Sequence, residues 1–165
     1  MRLLARLVEP MNIFVLDYDP ILAAQSVIDR HSGKMVLESA QLLCAAFPAG
    51  AAPYKRTHYN HPCSVWTRES RPNALWLAEH GLALAEEYTF RYGKVHASKA
   101  VILWCIENLA RAEIPAGDLT PFAQAMPDEY KRADAVEAYR AYYRGGKAAI
   151  ATWNHGRPAP EWWAA

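Results

Sequence analysis

The stretch that decides the fold is Ser70 to Gly93, which reads SRPNALWLAEHGLALAEEYTFRYG. A serine followed closely by a proline is typical of a helix N-terminus, and the closing glycine is typical of a helix C-terminus. The pattern therefore predicts one long amphipathic helix that ends at Tyr92. At about 100° per residue, one face collects six residues that we expect to face the core: Leu77, Gly81, Leu84, Ala85, Tyr88 and Tyr92.

Most of the remaining chain shows helical periodicity as well. The segment from Ile21 to Phe47 has a weak point at Ser32-Gly33 and fits either two helices or one kinked helix. Residues 12–17 (Asn-Ile-Phe-Val-Leu-Asp) are β-branched and aromatic, which predicts a short strand. Further helices are predicted at residues 64–69, 97–112 and 134–144. The expected fold class is mainly α, a compact helical domain with a short N-terminal β-strand.

Length and composition limit the architecture and the partners. The chain has 165 residues, of which 52% are hydrophobic, so it can bury one core and is not a wholly disordered chain. We expect a single helical domain over residues 11–165, with residues 1–10 as an extension and Met11 as a second candidate initiator. The formal net charge of +1 gives no global reason to expect a polyanion, so any such site must be local.

The sequence also predicts in which cellular compartment the protein is located. Its apolar runs are far shorter than the roughly 20 residues that cross a bilayer, and no signal-peptide order is present at the N-terminus. The three cysteines are widely spaced and include no CxxC pair, which is typical of buried thiols in a reducing compartment. We therefore expect a cytoplasmic protein with no membrane partner.

A first polar stripe has spacings of three, four and three residues, within about 80° of one helix face. Its members are His31, Lys34, Glu38 and Gln41. On a solvated face, Lys34 and Glu38 would form an ion pair. In a cleft, a carboxylate beside a cation and an imidazole can act as acid or base, which makes His31 and Glu38 candidate catalytic residues.

A second stripe lies on the long helix, offset from the core positions, and comprises Trp76, His80, Glu87 and Arg91. If the two stripes face each other, they form a hollow with the composition of an active site. His80 and Glu87 are then further catalytic candidates, and Arg91 is a phosphate contact. An ordinary exposed face that includes Trp76 is the alternative.

The predicted loop of residues 54–63 concentrates basic, aromatic and imidazole side chains. Four of them are candidate contacts to phosphates or bases: Lys55, Arg56, His58 and His61. A capping contact between the loop and the next helix is the alternative. His58, His61 and Cys63 offer three zinc ligands, but no fourth is evident and the spacing fits no standard pattern. No metal and no other cofactor is predicted.

A basic, tyrosine-rich region follows at residues 127–147. Cations hold phosphates and aromatic rings stack on exposed bases, so Arg140 and Arg144 are candidate nucleic-acid contacts. Tyrosines at helical spacing also occur in protein cores, and that alternative stays open.

A resemblance joins these features. The order of an Asp-Pro turn, a helix with Arg30, His31 and Lys34, then His61-Pro62-Cys63, a long helix, Met126-Pro127-Asp128-Glu129-Tyr130-Lys131 and a Tyr-Tyr-basic end is similar to small phage-type proteins. These look like distant relatives of the pyrimidine-dimer DNA glycosylase (endonuclease V) family. The likeness covers residues 11 to about 153.

The resemblance implies an all-helical fold and a chain-terminal amine that attacks C1′ of a damaged nucleotide to form a Schiff base. It further implies an assisting carboxylate on the first helix and arginines that hold phosphates. By position, Arg30 and Lys34 match the basic contacts. His31 stands where the carboxylate is expected, and Glu38, two turns along the same face, is its replacement. The terminal amine belongs to Met1 or to Met11.

Taken together, these features favour an enzyme that acts on nucleic acid or nucleotides, with base excision by a glycosylase/lyase as the named hypothesis. Two alternatives remain. One is a non-catalytic phage accessory protein that binds nucleic acid or a protein partner through its Tyr-Arg face. The other is an enzyme that acts on free nucleotides.

Overall fold

A computed structural model of the protein describes residues 11–164. Within this range the chain forms six α-helices: α1 (Pro20–Ser26), α2 (Asp29–Cys44), α3 (Pro62–Glu69), α4 (Arg71–Tyr92), α5 (Ser98–Glu107) and α6 (Ala135–Gly146). Four short 3-10 segments lie at Leu109–Arg111, Asp128–Tyr130, Ala148–Ile150 and Glu161–Ala164. The mainly helical class is confirmed. The predicted extension at residues 1–10 lies outside the described residues.

Helix α4 is the centre of the fold, because it packs against α1, α2, α3 and α5. Its ends follow the sequence signals: the Ser70 hydroxyl accepts a hydrogen bond from the Asn73 amide, and Gly93 adopts a left-handed φ of 68°. Leu77 and Leu84 on the predicted core face are fully buried, whereas Tyr92 is exposed at the helix end. Neighbours on several sides also bury residues outside that face.

The break between α1 and α2 falls at Val27-Ile28 and not at the predicted weak point Ser32-Gly33. Both residues of the break are extended and fully buried, and the Val27 carbonyl accepts a hydrogen bond from Arg91. Gly33 lies inside α2, where an added Cβ would come within 3.1 Å of the Tyr88 ring. The glycine therefore permits close helix packing and does not end a helix.

The predicted strand at residues 12–17 is wrong, because this described segment forms no strand. Phe14 adopts a left-handed φ of 54°, which a strand does not allow. The Asn12 side-chain oxygen accepts hydrogen bonds from the Ile13 and Phe14 amides and satisfies them locally. Residues 13–16 are buried, so their apolar run reflects burial and not strand pairing.

The chain after α6 lies across the helices. The Trp153 indole donates to the Ser26 carbonyl, and the Asp29 carboxylate accepts from the Thr152 hydroxyl and the Asn154 amide. These contacts hold the C-terminal segment against the junction of α1 and α2. Lys147, directly after α6, lies over the ring of Phe14 in the N-terminal segment.

Candidate functional site

A cavity of about 390 Å³ opens between the N-terminal segment, α2, the start of α3 and the chain around α6. This volume lies in the range of small-molecule sites. Four lining residues are charged: Lys34, Glu38, Lys131 and Lys147. The other walls come from Asn12, Phe14, His61, Pro62, Gln124, Ala125, Met126, Pro127 and Tyr142. We name this space the lysine cavity.

The charges of the lysine cavity favour an anion. Among the described residues, the lining contains three ammonium groups and a single carboxylate, that of Glu38. Lys147 and Glu38 are only 4% and 6% exposed, so one cationic and one anionic residue of the lining are buried. Lys131 is exposed at the rim, where its Nζ lies 2.8 Å from Oδ1 of Asp128. Ammonium groups grouped in this way attract phosphate.

Two aromatic rings form the apolar wall of the lysine cavity. The Nζ of Lys147 lies 5.7 Å from the ring centroid of Phe14 and 5.1 Å from that of Tyr142. The two ring centroids are 6.1 Å apart. Flat aromatic surfaces beside cations suit a ligand that has both a planar ring and a phosphate.

Phe14 is held in its left-handed conformation by packing. Its ring stacks on His31 at a centroid distance of 4.3 Å and also contacts Tyr139 and Tyr143. A bulky residue in this region costs about 1–3 kcal/mol of backbone strain, which the surrounding contacts must offset. The same packing contacts fix the position of the Phe14 ring at the cavity wall.

His31 lies behind Phe14 and is fully buried. Its Nδ1 is 2.7 Å from the hydroxyl oxygen of Tyr143, and that oxygen also accepts a hydrogen bond from the Ile28 amide. The sequence predicts that the α2 stripe lies on a solvated face or in a cleft, and both placements are wrong for His31. The N-terminal segment and α6 cover that part of α2, so His31 supports the Phe14 wall and does not line the cavity.

His61 lines the lysine cavity at the start of α3. Its Nδ1 accepts a hydrogen bond from the Cys63 amide at 3.1 Å, which leaves the proton of the neutral ring on Nε2. Burial, and then the nearby His58, lower the pKa of His61. Burial and the charge of Glu38 raise the pKa of Cys63 to about 12, so this thiol is not an activated nucleophile.

The other predicted loop residues do not line the lysine cavity. His58 is exposed, and its Nδ1 lies 2.9 Å from the Thr57 hydroxyl. Arg56 donates to the Phe47 carbonyl and stacks on the Tyr59 ring. Lys55 lines a separate shallow depression. In the described part of the chain, no three His, Cys, Asp or Glu side chains are grouped as a metal would require.

The polar stripe of α4 forms a buried network. The Arg91 guanidinium donates to Glu87 at 2.9 Å, to Asp29 at 3.2 Å and to two backbone carbonyls of the α1–α2 junction. Glu87 also accepts two hydrogen bonds from Arg157, at 2.9 and 3.0 Å. The network ties α4 to the start of α2 and to the C-terminal segment.

His80 is buried as well. Its Nδ1 lies 3.0 Å from the Pro20 carbonyl oxygen and its Nε2 lies 3.3 Å from that of Ile13, while Trp76 stacks on the ring. No lining residue of the lysine cavity in the described chain comes from α4. The predicted shared hollow between the two stripes is therefore wrong, because neighbouring elements enclose the α4 stripe.

The predicted arginine contacts also lie outside the lysine cavity. Arg140 donates to the Leu16 carbonyl and to Asp17, and Arg144 donates to the Trp162 carbonyl. Arg30 is exposed on α2. Of the predicted phosphate contacts, only Lys34 and His61 line the cavity.

Of the thirteen described residues that line the cavity, the sequence predicts only Lys34, Glu38 and His61 as site residues. Lys131, Tyr142 and Lys147 belong to the basic, tyrosine-rich region, and that local charge excess is the signal that could have identified them. Phe14 gave no such signal, because its segment resembles a strand.

Comparisons with models of known families, with curated proteins and with solved structures found no match. None of the described helices has the length and apolar character needed to cross a membrane.

Proposed function

We propose that the protein breaks the N-glycosidic bond of a single nucleotide held in the lysine cavity. One observation carries the proposal: three lysines, one buried carboxylate and two aromatic rings line the same space. The lysines suit the phosphate, and the half-buried Tyr142 ring suits the base, with the buried Phe14 ring behind it. The carboxylate of Glu38 is the group suited to the chemistry.

In the proposed reaction, a water oxygen bonds to C1′ and the base leaves with the electrons of the glycosidic bond. The Glu38 carboxylate stabilises the positive charge that develops at C1′ and takes the proton of the water. His61 bears its proton on Nε2 and donates a hydrogen bond to the leaving base. The proton taken up by Glu38 passes through solvent to the base, so the products are a neutral base and a sugar phosphate with a hydroxyl at C1′.

The nucleotide can reach the cavity in two ways. The resemblance to pyrimidine-dimer glycosylases favours a nucleotide rotated out of a DNA duplex, because enzymes that act on bases take them out of the stack. A free nucleotide is the second candidate, favoured by a specific observation. Arg56, Arg91, Arg140 and Arg144, predicted to hold DNA phosphates, each donate to groups of the protein itself.

The test is base release, measured by mass spectrometry, from two substrate sets. One set is DNA duplexes with damaged or modified pyrimidines, and the other is a panel of nucleoside 5′-monophosphates. For a duplex with a cyclobutane dimer, whose freed base stays bonded to its neighbour, release from the sugar is measured instead as strand cleavage in alkali. We expect release from one set, and Glu38→Gln should slow it by about 10²- to 10⁴-fold.

The matched control is Glu79→Gln, at an exposed carboxylate of α4, which should retain the full rate. Absence of release from both sets, or an active Glu38→Gln variant, would refute the proposed activity. Binding of either ligand set without turnover would instead favour a non-catalytic accessory protein.

A further inference from the structure

Two thiols meet between α2 and α5. Cys44 is the last residue of α2, Cys105 lies in α5, and their sulfur atoms are 3.7 Å apart. The residues are 2% and 1% exposed and lie in the hydrophobic core. Cys63, the third cysteine, is buried elsewhere, beside Tyr139.

The pair is chemically asymmetric. The contact between the two sulfur atoms lowers the pKa of Cys44 and raises the pKa of Cys105. Cys44 is therefore the member that gives up its proton more readily, and a thiolate is the nucleophilic form of cysteine. By contrast, burial and Glu38 raise the pKa of Cys63 to about 12.

We propose that Cys44 and Cys105 form a redox modification site at which a hydroperoxide converts the two thiols into a disulfide. The Cys44 thiolate attacks the terminal peroxide oxygen and becomes a sulfenic acid, and hydroxide or alkoxide leaves with the electron pair of the O–O bond. The Cys105 thiol then attacks the sulfenic sulfur, the S–S bond forms, and water leaves. For hydrogen peroxide, two thiols are oxidised and the peroxide is reduced to two waters.

The geometry allows the second step with small movements. A disulfide bond is about 2.05 Å long, so the sulfur atoms at 3.7 Å must approach by roughly 1.6 Å. Cys44 is at the end of α2, where local opening needs the least disruption of a helix. A disulfide needs two neighbouring cysteines. Cys63 has no neighbouring cysteine among the described contacts, so it cannot form one in the same way.

The product would join the C-terminal end of α2 covalently to α5. Lys34 and Glu38 project from the same α2 helix into the lysine cavity. The modification therefore lies in the scaffold that positions the cavity, and it needs no ligand to form.

The full chain is exposed to hydrogen peroxide under native conditions. It is then unfolded in the presence of a thiol-blocking reagent, the blocked thiols are counted, and any disulfide is located by peptide mapping. We expect the thiol count to fall from three to one, with the linked peptides containing Cys44 and Cys105. A bulky maleimide should leave both residues unlabelled in the native protein, because they are buried.

Variants make the outcome specific. Cys63→Ser should still lose both of its remaining thiols, whereas Cys44→Ser and Cys105→Ser should form no intramolecular disulfide; thermal unfolding confirms that each variant is folded. A linkage that includes Cys63, equal oxidation of all three cysteines, or survival of all three thiols at peroxide levels that oxidise the unfolded chain would overturn the proposal.

Discussion

The polar stripes of α2 and α4 have similar composition and different roles. Each presents an imidazole, a carboxylate and a cation at helical spacing. On α2, Lys34 and Glu38 open into the lysine cavity. On α4, Glu87 and Arg91 are used up in contacts with the protein itself. The same residue types thus line a cavity at one place and form a buried network at the other.

The difference arises from what covers each helix. Four helices pack against α4, so the buried polar groups of its stripe, those of His80, Glu87 and Arg91, must find a protein partner or bear the cost of burial. The corresponding face of α2 is only partly covered, by the N-terminal segment, the start of α3 and the chain around α6. Spacing on a helix defines a face, but the neighbouring elements decide whether that face is a site.

The strongest test of the comparison is Arg91→Ala. It removes one of the two arginine partners of the buried Glu87 and the ion-pair partner of the buried Asp29, and we expect a loss of about 3–5 kcal/mol in the free energy of unfolding. Urea unfolding measures it. A loss below about 1 kcal/mol would show that the α4 network does not brace the fold, and the two stripes would no longer differ in role.

At the lysine cavity we expect the opposite pattern, with little change in stability and a clear change in ligand affinity. Lys131→Ala removes an exposed ammonium group, so the free energy of unfolding should change by less than about 0.5 kcal/mol. The affinity for thymidine 5′-monophosphate, measured by calorimetry, should fall about tenfold. Lys99→Ala is the matched control, because Lys99 pairs with Glu86 outside the cavity. Equal affinities in the two variants would remove Lys131 from the site.

The smallest expected effect is a pH dependence from His80. Burial lowers its pKa below the usual value of about 6.5, so on acidification the unfolded chain takes up a proton that the folded chain does not. The free energy of unfolding should therefore fall below about pH 6.5, by at most about 1.4 kcal/mol per pH unit.

His80→Gln should reduce that slope without abolishing it, because burial also lowers the pKa values of His61 and His96. Urea unfolding at pH 7.5, 6.5 and 5.5 gives the slope. An unchanged slope in His80→Gln would mean that this imidazole titrates normally and is not enclosed like the rest of the α4 stripe.

Local signals predicted local structure well. Asp19, Ser70 and Asp134 cap helices as their sequence contexts indicate, and Gly93 closes α4. These features depend on residues three or four positions apart, which the sequence displays directly. Phe14 shows the limit: its left-handed backbone depends on rings from α2 and α6, so its local sequence predicts a strand instead.

The site was only partly predictable for the same reason. Lys34, Glu38 and His61 were selected from the sequence because their residue types suit acid–base and anion chemistry. Lys131 and Lys147 join them only through the path of the chain around α6. Arg140 and Arg91 looked equivalent to Lys34 as phosphate contacts, but their partners lie far away in sequence, at Asp17 and Asp29.

By itself, the sequence determined that this protein is mainly helical and where α4 begins and ends, since both properties follow from interactions within a few residues. The tertiary structure decided which polar side chains meet a cavity, which ones pair inside the protein, and that Cys44 lies beside Cys105. Burial and pairing depend on segments that are distant in sequence. Such a segment decides whether a charged side chain is buried, and whether a partner offsets the free-energy cost of burying it.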